Sequence, residues 1–85
     1  MSEPIVRHRL LEVLGSITGV DAFEALEESD DFMSVLNLDS LDAVELTVRL
    51  STEFGVEFGA EPEDLDALDT LTALTSLVHR RQGGR

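Results

Sequence analysis

The span from Asp39 to Gly55 constrains this chain more than any other, because it opens on a residue suited to start a helix and closes on one suited to stop it. A carboxylate at Asp39 accepts the free amide hydrogens of a helix's first turn. Asp42, three residues on, completes a capping-box-like pair and suits the positive end of the helix dipole. Gly55 supplies the left-handed conformation with which many helices end. Between them Leu41, Val44, Val48, Leu50 and Phe54, with Leu46 at the edge, recur at helical spacing and predict the apolar side. Glu45, Arg49 and Glu53 step along the opposite side. A helix from Ser40 to about Phe54 follows, and Ser40 is held at its mouth, exposed and pointing in a defined direction.

The same reasoning extends to both sides. Pro4, followed by Ile5, Val6, Leu10, Val13, Leu14 and Ile17, predicts a first helix over about residues 4–18, with Gly15 inside the run and Gly19 ending it. Val20 to Leu38 is acidic and lacks a clean period. It reads as a long loop pinned to the core by Phe32 and Leu36, with a short helical turn. Pro62-Glu63-Asp64 begins a brief helix through about Leu68. Asp69 or Thr70 caps a last helix whose apolar residues are Leu71, Leu74, Leu77 and Val78, and residues 79–85 read as a frayed tail. Only Val56-Glu57-Phe58 alternates, too briefly for a strand. The fold class is therefore all-α: a four-helix bundle of three longer helices and a short third one, with a long loop between helices one and two. At 85 residues it is a single domain, 1–85.

Charge narrows the function. Eighteen acids face six arginines, and the chain has no lysine, for a net charge of −12. Residues 10–79 hold seventeen acids and only Arg49 as a base, a net −16. Such a surface is repelled by nucleic acid and anionic membranes and drawn to basic protein patches. No cysteine is present, so there is no disulfide, thiolate metal site or sulfur nucleophile. No apolar run approaches membrane-spanning length and no secretory pattern opens the chain, so the expected location is the cytoplasm.

Catalysis finds no constellation. Ser40 lacks a base, since His8 and His79 lie in the first and last helices, and no nucleophile-elbow glycines flank it. The acids do not form a calcium loop either: Glu61 to Asp66 puts Leu65 and Asp66 where that loop needs an acid and a glycine, and Glu28 to Asp31 has no glycine at the turn. An exposed, capped serine beside an acidic helix is what remains, and it reads as a handle.

On these residues the sequence resembles the acyl carrier protein family. The likeness centres on Asp39-Ser40-Leu41, continues through Asp42-Ala43-Val44-Glu45-Leu46 to Glu53-Phe54-Gly55, and covers nearly the whole chain. The resemblance implies an acyl-carrier-type bundle that is not an enzyme. In that family the serine of this motif receives 4′-phosphopantetheine from coenzyme A, and the terminal thiol carries acyl groups as thioesters. The resemblance thus makes Ser40 the attachment point. It implies that Asp39 helps the phosphopantetheinyl transferase hold its metal and coenzyme A, although capping alone also explains an aspartate there. Leu41, read as half-exposed, is either an apolar anchor at partner interfaces or ordinary core. Asp42 and Glu45, with Val48 and Arg49, form the expected docking surface for acyl-loading, acyltransferase or ketosynthase-type enzymes with basic patches; a merely solvated face is the other reading of the two acids. Phe32, Leu36, Val44, Leu50, Leu65 and Leu68 are the positions around which the family shelters an acyl chain, and plain core packing is the alternative for each.

The sequence also departs from the family. Asn37 stands where a glycine is usual, two residues before the aspartate, and is the next best residue for a left-handed turn. Arg49, Ser51 and Thr52 stand where members in fatty-acid synthesis commonly have acids, and Gly59 replaces a common proline. The expectation is a monomeric carrier in a polyketide or other specialised-metabolite pathway. Its rivals are a carrier of aminoacyl or peptidyl groups, a carrier of primary fatty-acid synthesis, and an unmodified acidic adaptor.

Overall fold

The structure, a computed structural model, describes residues 2–59 and 61–83. Its helices are α1 (Glu3–Thr18), α2 (Ala22–Ala25), α3 (Phe32–Val35), α4 (Ser40–Phe54), α5 (Pro62–Asp66) and α6 (Leu71–Gly83), and no strand occurs among the described residues. The three longer helices and the short one before the last are those expected. Two single-turn helices, α2 and α3, occupy the long connection where one helical turn is expected.

α1 is the hub, packing against α2, α4 and α6. Its Val6, Leu10 and Leu14 are fully buried against Leu46 and Leu50 of α4, Leu71, Leu74 and Val78 of α6, and Phe32 of α3. The apolar spacing along α1 produces this contact directly, since residues four apart share a helix face. Gly15 lies in that helix because the chain after it folds back: a Cβ there would stand 3.1 Å from the Val20 carbonyl oxygen. α1 then ends at Gly19 in the left-handed region, with φ 74°.

The acidic connection is held as expected by Phe32 and Leu36, which are 0% and 8% exposed, and also by buried Ala22 and Leu26. A further anchor is polar. The Asp30 carbonyl accepts the Leu71 amide at 2.7 Å, and its carboxylate accepts the Thr72 amide at 2.9 Å. The same carboxylate lies 3.6 Å from the Arg7 guanidinium of α1. Asp30 thereby joins the loop, α1 and the start of α6. The local cap of α6 is Thr70, whose hydroxyl accepts the Ala73 amide at 3.0 Å; Asp30 supplies the rest from 42 residues away.

The tail corrects the expectation of fraying. α6 runs on through His79 to Gly83, because Arg81 and Gln82 find polar partners beneath them: Arg81 donates to the Glu57 carbonyl at 2.7 Å and Gln82 to the Phe54 carbonyl at 3.3 Å. Gly84 and Arg85 lie outside the described residues.

Burial pushes the Asp30 carboxyl up, but the Thr72 hydrogen bond and the Arg7 charge outweigh it and hold it below its ordinary value of 3.8. A carboxyl lowered on folding stabilises fully above its unfolded value, and that contribution fades as pH falls through the folded value. Asp30→Ala is expected to cost about 0.5–2 kcal/mol in urea denaturation at neutral pH, the usual range for a lost cap. In Asp30→Asn, acid titration of stability should be shallower below pH 3.8 than in the parent.

Candidate functional site

The chain reaches α4 through a turn built in three steps. Leu36 closes α3 and is buried, Asn37 swings into the left-handed region at φ 52°, and Leu38 returns to pack partly against the core. The Leu38 amide meets the Met33 carbonyl at 2.9 Å, which fixes the reversal. Asn37 thus takes the left-handed role its type predicts.

Asp39 is extended, with φ −100° and ψ −174°, and caps the helix. Its Oδ1 accepts the Asp42 amide at 2.9 Å, and Asp42 Oδ2 accepts the Asp39 amide at 3.3 Å. This reciprocal pair is the capping box expected from the sequence. Ser40 follows as the first helical residue and is exposed. Among the described residues its hydroxyl has no partner, and the backbone amides of Ser40 and Leu41 have no acceptor, as helix geometry dictates at a start. The site therefore offers a free hydroxyl beside two unpaired N–H groups at the positive end of a 15-residue helix. That chemistry fits a phosphate ester: the helix end favours the negative charge, and nothing need be displaced to reach the oxygen.

α4 turns a different face to the core than its first apolar stripe suggests. Leu46, Leu50 and Phe54 are the buried residues, at 0%, 0% and 6% exposure. Leu41, Val44 and Val48 are exposed, at 77%, 61% and 57%. The helix carries two apolar stripes, and α1 covers the one through Leu46, which therefore lies at the centre of the contact and not at its edge. Leu41 is exposed well beyond one half.

The predicted docking residues divide accordingly. Leu41, Glu45 and Val48 lie on the open face, with Asp42 partly covered at its margin. Arg49 and Glu53 turn towards α1 instead of standing with Glu45. Arg49 donates to the Ser16 hydroxyl at 3.1 Å, and Glu53 lies 3.6 Å from the Arg9 guanidinium. Arg49 thus fastens α4 to α1 and borders the open face.

The six positions linked to a sheltered chain also divide. Phe32, Leu36 and Leu50 belong to the buried core. Val44, Leu65 and Leu68 line an open groove of ≈ 480 Å³, together with Ala43, Thr47, Phe58 and Gly59. Phe58 and Gly59 were not legible as groove residues, since both come from an irregular connection without a period. His8 stacks near Phe23, with ring centroids 4.8 Å apart, and lies 3.6 Å from Glu12; His79 lies 3.9 Å from Glu3. His8 thus meets one partner on α1 and one on α2, and His79 of α6 faces α1. No helix among the described residues is long and apolar enough to cross a membrane.

Comparison with known proteins gives two findings. A family model described as a phosphopantetheine attachment site matches residues 8–78. The chain is also 39% identical over 71 residues to "Polyketide-8 synthase acyl carrier protein 2" of Streptomyces avermitilis, covering 84% of this chain and 71% of that relative.

The two stripes of α4 make opposite stability predictions, readable by urea denaturation. Leu46→Ala should cost about 2–5 kcal/mol, as buried leucine truncations do. Val48→Ala should stay within about 0.5 kcal/mol of the parent.

Proposed function

This chain belongs to the acyl carrier protein family, and from the geometry at the start of α4 we propose that Ser40 is the residue to which its 4′-phosphopantetheine is joined. Members of the family are carriers and not catalysts, and they work with a phosphopantetheinyl transferase and with biosynthetic enzymes. Once attached, the prosthetic group supplies a terminal thiol that holds acyl groups as thioesters. The observation that carries the assignment of Ser40 is its exposed, unbonded hydroxyl beside two free amides at a capped helix start.

Each neighbouring residue then has a task. Asp39 and Asp42 bond each other's amides and so keep the first turn of α4 wound and Ser40 pointing outward. The amides of Ser40 and Leu41 favour the negative phosphodiester through the helix dipole. Ser40 needs no base within this chain, because the modifying enzyme supplies one. Asp39 is at hand to assist that enzyme with its metal and coenzyme A.

The docking face is Leu41, Asp42, Glu45 and Val48, with Arg49 at its border. Apolar side chains left in water gain from burial against a partner, and the surrounding acids steer basic surfaces towards them. Association of this kind is fast and weakened by salt, which suits a protein that visits enzymes in turn. The pathway we propose is polyketide assembly, supported by the polyketide synthase carrier to which the chain is similar and by the loss of acids late in α4. On this reading residues 1–85 form one carrier unit, acting as a monomer in the cytoplasm.

Two experiments test the proposal. Incubation with coenzyme A and a broad-specificity phosphopantetheinyl transferase should raise the intact mass by one phosphopantetheine, and Ser40→Ala should show no gain. A gain that persists in the variant moves the attachment elsewhere. Glu45→Lys should weaken binding to a cognate enzyme and flatten its salt dependence while changing stability by less than about 0.5 kcal/mol; unchanged binding in a titration would remove α4 as the docking face.

A further inference from the structure

α5 is held in place by polar contacts that neither the core nor the serine accounts for. At five residues it is far too short to persist alone, and its Leu65 is 63% exposed. The residue it buries completely is an acid, Asp64. Asp64 Oδ2 accepts the amides of Gly59 at 2.8 Å and Glu61 at 3.2 Å, and Oδ1 meets the guanidinium of Arg81 from α6. Arg81, only 21% exposed, also donates to the Glu57 carbonyl at 2.7 Å and the Glu63 carboxylate at 2.8 Å. Its neighbour Gln82 donates to the Phe54 carbonyl at 3.3 Å. Two successive residues of α6 thus grip the connection between α4 and α5 at both of its ends.

That connection forms one wall of the groove. Ala43, Val44 and Thr47 come from α4, which the core fixes; Phe58, Gly59, Leu65 and Leu68 come from the gripped segment or the residues just after it. A buried carboxylate is tolerated only while its partners are present, and deleting one partner leaves an uncompensated charge in the interior. The position of this wall therefore depends on the Arg81 guanidinium together with the buried Val56 and Ala67 near its two ends. Burial pushes the Asp64 carboxyl up, yet Arg81 and the Glu61 and Gly59 amides more than offset it, so the acid stays ionised and bound.

We propose that Arg81 and Asp64 are positioning residues that set the groove between α4 and α5, and so govern how far a group carried on Ser40 is screened from water. The screening rests on the assignment of Ser40; the grip on the wall does not. With the grip intact, Phe58 and Leu65 stand over the groove. Without it, residues 56–59 and 61–68 loosen while α1, α4 and the core they share with α6 stay folded.

Amide hydrogen exchange on the unmodified chain tests the grip. In Arg81→Met, which keeps the aliphatic stem, amides of residues 56–59, 61 and 63–68 should exchange about tenfold faster or more, with those of Leu10, Leu14, Leu46 and Leu50 unchanged. Arg81→Lys should recover part of the protection. Unchanged exchange at those amides, or an equal rise throughout α1 and α4, would overturn the proposal. The screening is read on holo protein loaded with a straight-chain acyl group, as the rate of thioester cleavage by hydroxylamine: Arg81→Met should cleave several-fold faster than the parent, and equal rates would overturn that part. Failure of the parent to load at all would instead sink the assignment of Ser40 and the screening with it, leaving the exchange result to decide the grip.

Discussion

Aspartate carboxylates bonded to backbone amides hold the starts of the helices that follow α1 and tie them to the small core. Each helix after α1 is served by one. Asp21 accepts the Phe23 and Glu24 amides at α2, Asp31 the Ser34 amide at α3, and Asp39 the Asp42 amide at α4. Asp64 accepts the Gly59 and Glu61 amides at α5, and Asp30 reaches across the fold to the Thr72 amide of α6. An acceptor at a helix start satisfies an N–H that the helix itself cannot, and short helices have too few internal bonds to spare. Part of the large acid surplus is thus architectural. Removing such a carboxylate does not merely alter surface charge; it frees a segment.

Those contacts divide into the ones a reader of the sequence finds and the ones it hides. Asp39 and Asp42 are three residues apart, so their reciprocal bonding is local chemistry, and the start of α4 follows from it as its end follows from Gly55. Asn37 is equally legible, because few residue types accept φ 52°. The bonds of Asp30 to α6 and of Arg81 to α5 join residues far apart, and no spacing rule announces a pair of that kind. Arg81 reads as tail because arginine in a terminal run ordinarily points to solvent; only the folded path of the α4–α5 connection brings Glu57, Glu63 and Asp64 within its reach. The orientation of α4 fails for another reason. Leu41, Val44 and Val48 fit helical periodicity as well as Leu46, Leu50 and Phe54 do, and period alone does not say which stripe meets α1.

That ambiguity carries functional meaning. A helix with one apolar stripe buries it and is finished. α4 has two, and the second begins next to Ser40 and runs along the open face, between Glu45 on one side and the groove on the other. Core and proposed docking surface are therefore opposite sides of one 15-residue element, whose bond from Arg49 to Ser16 and whose Leu46 contact keep it from rotating. On the docking role proposed for it, the outer stripe is a surface that remains wet until another protein covers it.

Leaving that ridge uncovered has a colloidal consequence. Two copies meeting along Leu41, Val44 and Val48 would gain from hiding those side chains, and the same attraction repeated would clump them. Each molecule, however, bears a net −12, and the mutual repulsion keeps like molecules apart at a range where oily contact is not yet felt. On the proposed reading, the surplus of acid makes an adhesive patch selective by sign, inert towards its own kind and open to whatever arrives positively charged.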